Sequence, residues 1–99
     1  MTSVADLADM IGNGDVPSFE QITDAFNNHT EYSWHVRMAA QGSIQDAIAA
    51  VELMFDGRAR WQVGYDCKAT VELGSRHASA ISVTPGHALI VAGLRMMVG

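Results

Sequence analysis

Cysteine is nearly absent from this 99-residue chain, and Cys67 stands alone. That excludes an internal disulfide framework and a cysteine-built zinc site. Proline occurs only at Pro17 and Pro85, so the backbone has few fixed breaks. Charged residues make up 17% of the sequence and positive ones are the scarcer, with 6 Lys and Arg against 11 Asp and Glu. The formal charge of −5 argues against direct nucleic-acid binding, which concentrates positive charge to displace counterions from phosphates. No apolar run approaches the roughly 20 residues that span a bilayer. The most apolar stretch, residues 88–98, is interrupted by Gly93 and Arg95 and reads as a core helix. The first residues lack a basic segment and an apolar stretch, so no secretory signal is expected, and no lipidation motif appears. The expectation is a soluble, intracellular protein without membrane attachment.

What is present suffices for one globular domain, since 48% of the residues are hydrophobic. Ser3 and Asp6 form a capping-box-like start for a helix over 4–11, ended by Gly12. Residues 12–17 are a turn dense in Gly, Asn, Asp and Pro. Ser18 and Gln21 open a second helix over 19–27, with Phe19, Ile22, Ala25 and Phe26 at helical spacing and Asn27-Asn28-His29 as its stop. Together these predict an N-terminal helical hairpin, residues 1–31. The body, residues 32–99, begins with a change of period: Tyr32, Trp34, Val36 and Met38 alternate with Ser33, His35 and Arg37, the pattern of a half-buried strand.

Ser43 to Asp46 then opens a helix over 44–55, whose apolar stripe is Ile44, Ala47, Ile48, Val51, Met54 and Phe55, with Gly57 placed to cap its end. Trp61, Val63 and Tyr65 alternate with polar residues, as do Cys67, Ala69, Val71 and Leu73. These read as two strands joined by a tight turn near Gly64-Tyr65-Asp66. After a turn at Gly74-Ser75-Arg76, residues 77–83 return as a further strand. Thr84 as N-cap and Pro85 as first helical residue start a final helix over 85–98, whose small residues Gly86, Ala88, Ala92 and Gly93 permit close packing. The expected fold is α+β: an antiparallel sheet of three to four strands against two amphipathic helices, preceded by the helical hairpin.

The stretch from Ser43-Ile44-Gln45-Asp46-Ala47-Ile48-Ala49-Ala50-Val51-Glu52, through Trp61-Gln62-Val63 and Ala69-Thr70-Val71-Glu72, closes on Ser82-Val83-Thr84-Pro85-Gly86-His87-Ala88-Leu89-Ile90-Val91-Ala92-Gly93-Leu94-Arg95. An Ala-rich helix ending in Val-Glu, a Trp-bearing hairpin and Thr-Pro before an Ala/Leu helix resembles small phage and prophage proteins with an α-β-α sandwich domain. The likeness covers about residues 43–98, a little over half the chain, and rests on packing motifs, none of them catalytic. It implies a fold, a phage origin and the cytoplasm of a bacterial host. Some small phage proteins of this kind antagonise host defence, either by gripping a CRISPR effector or by sequestering a nucleotide messenger.

The charges are lopsided. Residues 1–31 hold Asp6, Asp9, Asp15, Glu20, Asp24 and Glu31 with no Lys or Arg, whereas residues 57–99 carry a net charge of +3. Asp6 with Asp9, and Glu20 with Asp24, share helix faces by their spacing. A cationic partner would relieve their repulsion, and the surface by which a nuclease complex holds nucleic acid is cationic. The same carboxylates also suit a solvated helix face that keeps a small protein soluble. The candidate partner-binding set is therefore Asp6, Asp9, Asp15, Glu20, Asp24 and Glu31, with Tyr32, Trp34 and His35 as anchors beside them.

Catalytic chemistry finds little support. His29, His35, His77 and His87 have no His-x-x-x-His spacing, so neither a metal nor another cofactor is expected. His87, in the first turn of the last helix, reads as a surface histidine. Cys67 alternates with Ala69 and Val71, which predicts a buried structural thiol rather than a nucleophile. Ser79 and Ser82 lack a nucleophile elbow, and Gly12-Asn13-Gly14 is too short for a phosphate loop. Strand alternation makes core packing the first account of Trp34, Trp61 and Tyr65. The leading expectation is a non-enzymatic inhibitor of a CRISPR-type defence complex. Two others stay open: a small-nucleotide module using Arg58, Arg60, Arg76, His77 and the Thr84–Gly86 amides, and a structural protein that self-associates, as a homodimer for instance, through a patch at Met96, Met97 and Val98.

Overall fold

Serine side chains open three of the helices at the expected positions. In the computed structural model, which describes residues 2–27 and 31–98, α1 (Val4–Gly12) starts at Ser3. The Ser3 hydroxyl accepts from the Asp6 amide, and the Asp6 carboxylate accepts from the Ser3 amide. Ser18 and Gln21 make the same reciprocal box for α2 (Phe19–Ala25). These bonds satisfy orphan donors of the first turn. The Asn28-His29 stop lies outside the described residues.

Residues 33–39 are not a strand. They form α3 (Ser33–Ala39), which buries Ser33, Val36 and Ala39 together with the following Ala40. The alternation of large side chains suggested period two. The residues that reach the core recur at intervals of three and four, and several are small, so α3 packs closely on α4 (Ile44–Met54). Ser43 caps α4 through the Asp46 amide. At its other end Gly57 donates its amide to the Glu52 carbonyl at 2.8 Å, as its position suggested.

Three strands follow, β1 (Arg60–Val63), β2 (Lys68–Leu73) and β3 (Arg76–Ile81), paired antiparallel in the order β1-β2-β3. Trp61, Val71 and Ala78 align on one face, as do Val63, Ala69 and Ala80. The other face presents the rows Arg60-Glu72-His77 and Gln62-Thr70-Ser79, which are polar and largely exposed. Cys67 departs from its expected place. It is the last residue of the β1–β2 loop, in the left-handed region at φ 62° and half-buried, with its Sγ 3.8 Å from the Val83 carbonyl. A three-residue hairpin loop needs a left-handed residue there, and that requirement removed Cys67 from the strand alternation.

The last helix, α5 (Pro85–Val98), is the middle layer. Residues 86–94 and Met96 are buried, with β2 and β3 on one side and α1 and α4 on the others. A helix apolar around its whole circumference must be enclosed this way. Its glycines set the spacing: an added Cβ on Gly86 would lie 2.9 Å from the Gly42 carbonyl oxygen, and one on Gly93 3.0 Å from Val51 Cγ2. Around α5 gather Leu7 and Ile11 of α1, Val36 of α3, Val51 of α4 and Val71 of β2. Two arginines fasten the sheet to it: Arg76 donates to the Met96 carbonyl at 2.7 Å and Arg95 to the Ser79 carbonyl at 3.1 Å. Among the described residues, no helix is long and apolar enough to cross a membrane.

Candidate functional site

The N-terminal carboxylates are divided by their local duties. Asp6 belongs to the α1 capping box, and the hydrogen bonds from the Ser3 amide and hydroxyl hold its pKa below the ordinary aspartate value. Asp24, on the last turn of α2, accepts from the Thr2 amide at 2.6 Å. Because Thr2 and Ser3 are consecutive, Asp6 and Asp24 are drawn toward the same short segment. Glu20 and Asp24, one turn apart, border a shallow recess with Phe19 and Thr23. Asp9 lies elsewhere, in a recess with Ala5, Ala8, Arg95 and Val98. Asp15, in the turn after α1, and Glu31, before Tyr32, are exposed.

The aromatic neighbours sort differently from the expectation. Trp34 is 56% exposed rather than in the core, and its ring stacks on Phe19 with centroids 5.8 Å apart and planes 16° from parallel. The Arg37 guanidinium lies 4.9 Å from the Phe19 centroid. Trp34 and Arg37 are three residues apart on α3, so both reach the same ring of α2. Neither Phe19 nor Arg37 stood out in the sequence as a site residue, because their partnership exists only if residues 33–39 are helical. Tyr32 turns inward and meets Phe26 edge to face at 4.8 Å. Burial, helped by the Glu31 charge, raises its phenol pKa. His35 is occupied as well: its Nδ1 is 2.8 Å from Asp46 Oδ1.

These contacts leave a coherent surface on α2 and α3: the Trp34–Phe19 stack with Glu20 and Asp24 alongside. A large amphipathic ring already held by a neighbour loses little side-chain entropy on binding, which is what an interface anchor requires.

The basic residues of the nucleotide reading do not converge. Arg60 and His77 share the outer sheet face but stand on opposite edge strands, roughly 10 Å apart with Glu72 between them. Arg76 reaches the opposite side to bind the Met96 carbonyl. Arg58 precedes β1, exposed, 3.9 Å from Asp56. At the start of α5, Thr84 Oγ1 accepts the His87 amide and lies 2.6 Å from His87 Nδ1. His87 is thus buried rather than on the surface, because the layers around α5 close over its first turn. Beside it a groove of about 430 Å³ runs between Gly42, Ile44, Val63, Tyr65 and Pro85, with Tyr65 fully exposed at its rim rather than in the core. Trp61 is half-buried against the core, as expected. The C-terminal apolar patch loses Met96 to the interior and keeps only Met97 and Val98 exposed. Among the described residues, no group of three or more His, Cys, Asp or Glu could hold a metal ion.

No family model, curated protein or solved structure matches this chain.

Proposed function

We propose that the protein is a stoichiometric inhibitor that docks its α2–α3 surface on a cationic protein partner. The partner is a host-defence complex of the CRISPR–Cas type, engaged where it holds nucleic acid. The single observation that carries this reading is the exposed Trp34–Phe19 stack bordered by Glu20 and Asp24. The stack supplies an apolar anchor and the carboxylates supply the charge that guides a basic surface to it. The resemblance of residues 43–98 to small phage and prophage proteins adds the setting, an accessory protein acting in the cytoplasm of a bacterial host. Arg76, central to the nucleotide alternative, is committed to the α5 terminus.

The test adds the full-length protein to a panel of purified CRISPR effector complexes and follows cleavage of target DNA. Inhibition of one member at about one protein per complex is expected. It should weaken as salt rises above roughly 0.15 M, where exposed charges are screened. A Glu20→Lys/Trp34→Ala variant with unchanged circular dichroism should fail to inhibit. Uninhibited cleavage across the panel, or full inhibition by the variant, overturns the reading.

A further inference from the structure

The two edges of the sheet are finished differently. The Ser82 amide donates to the Cys67 carbonyl, which fixes the parity of β3: its main chain turns away from β2 at His77, Ser79 and Ile81. Arg95 takes the Ser79 carbonyl and so blunts that edge. At β1 the Gly64 amide donates to the Lys68 carbonyl at 3.0 Å, so Arg60, Gln62 and Gly64 turn their main chain toward β2. Trp61 and Val63 turn theirs outward, and no other described element hydrogen-bonds to those groups. An uncovered strand edge is a template for a further strand.

We propose that this edge joins two copies of the chain, β1 pairing antiparallel with the partner's β1 about a two-fold axis at Gln62. Trp61 then lies opposite the partner's Val63 and Val63 opposite the partner's Trp61, each pair exchanging N–H and C=O. The two three-stranded sheets become one.

Charge selects this register over its neighbours. It places Arg60 opposite the partner's Gly64, and the position of a Gly64 side chain is already filled: Asp66 Oδ1 lies 2.7 Å from where its Cβ would be. The Asp66 carboxylate therefore sits on the outer sheet face beside Gly64, where the partner's Arg60 arrives. Among the described residues Arg60 makes no ion pair, and the Asp66 carboxylate accepts from the Lys68 amide at 3.2 Å. The two-fold axis makes the contact twice. On the inner face Trp61, half-buried, meets a β-branched neighbour, a favourable cross-strand pair. At the axis Gln62 faces the partner's Gln62 in a non-hydrogen-bonded position, with Cα atoms about 4.5 Å apart, close enough for a disulfide if both were cysteine. The interface uses no residue of the α2–α3 surface and stands independently of the inhibitor reading.

Sedimentation of the full chain from micromolar to about 1 mM tests it. A species of twice 10.6 kDa is expected. Val63→Pro removes an outward N–H without touching the β1–β2 ladder, and should give a monomer with the wild-type circular dichroism spectrum. Arg60→Glu should weaken the dimer at least tenfold, and adding Asp66→Lys should restore it. Gln62→Cys in a Cys67→Ser background should cross-link on mild oxidation, which reports the register itself. A wild-type monomer throughout the range overturns the proposal. So does a dimer that persists in folded Val63→Pro, or one in which Gln62→Cys does not cross-link. Binding of an extended peptide at β1 by a monomeric protein would assign the edge to a foreign strand and equally overturn it.

Discussion

His35 Nδ1 and Asp46 Oδ1 lie 2.8 Å apart, tying the middle of α3 to the first turn of α4. The same carboxylate receives the Ser43 hydroxyl at 2.6 Å, so one aspartate organises both the start of α4 and its junction with α3. Its pKa is lowered first by the Ser43 hydrogen bond and then by His35. A carboxyl whose folded pKa lies below its unfolded value stabilises the fold above the unfolded value, near 3.8 here. That contribution disappears as pH falls through the lower, folded value.

Asp46→Ala is therefore expected to lower stability by about 1–2 kcal/mol at neutral pH, through the lost acceptor for the Ser43 hydroxyl, the lost negative charge in the first turn of α4 and the lost partner for His35. Thermal unfolding at pH 7 should show a Tm drop of roughly 4–8 °C per kcal/mol. Repeated below pH 3, the difference between wild type and variant should shrink.

Gly86→Ala should destabilise by about 1–3 kcal/mol although alanine is the better helix former, because its Cβ would press on the Gly42 carbonyl. Gly93→Ala presses instead on a side-chain methyl of Val51 and should cost less, with Val51→Ala recovering part of the loss. Urea midpoints of the single and double variants measure both effects.

The acidic residues should separate into structural and exposed. Ser3→Ala, which removes the α1 cap, is expected to cost about 1 kcal/mol. Asp6→Ala should lower Tm in the same direction, whereas Glu20→Lys should leave it unchanged. Reversal of Asp6 would thus perturb the fold as well as the charge, so binding experiments belong with Glu20 and Trp34.

At Cys67 glycine should be tolerated or better. Cys67→Gly relieves a left-handed side-chain residue and should change stability by between zero and about +1 kcal/mol, while the β-branched Cys67→Val should lower it. Chemical denaturation under reducing conditions distinguishes these outcomes from the loss that a buried core thiol would give.

Helix starts were legible because capping is local: Ser3, Ser18, Ser43 and Thr84 all accept the predicted amide. The hairpins of the three strands were legible from alternation and from Gly64 and Gly74. Alternation failed at residues 32–38, where Trp34 and Met38 are large but the core is met by Ser33, Val36 and Ala39. Size of side chain stood in for burial, and the tertiary contact with α4 decided otherwise. The candidate site suffered for the same reason. The carboxylates were visible as composition, but the Phe19–Trp34–Arg37 arrangement depends on α3 being a helix. His87 was misplaced because an amphipathic reading of α5 left one side of its first turn to solvent, whereas residues 86–94 are all buried.

The enclosure of α5 has a consequence for biosynthesis. The element on which α1, α3, α4 and the sheet pack follows them in chain order, so a nascent polypeptide emerging from the ribosome holds α1, α3, α4 and the hairpins without the rod that joins them. Collapse into the native arrangement must await residues 85–98, and until then their apolar faces are available to a chaperone.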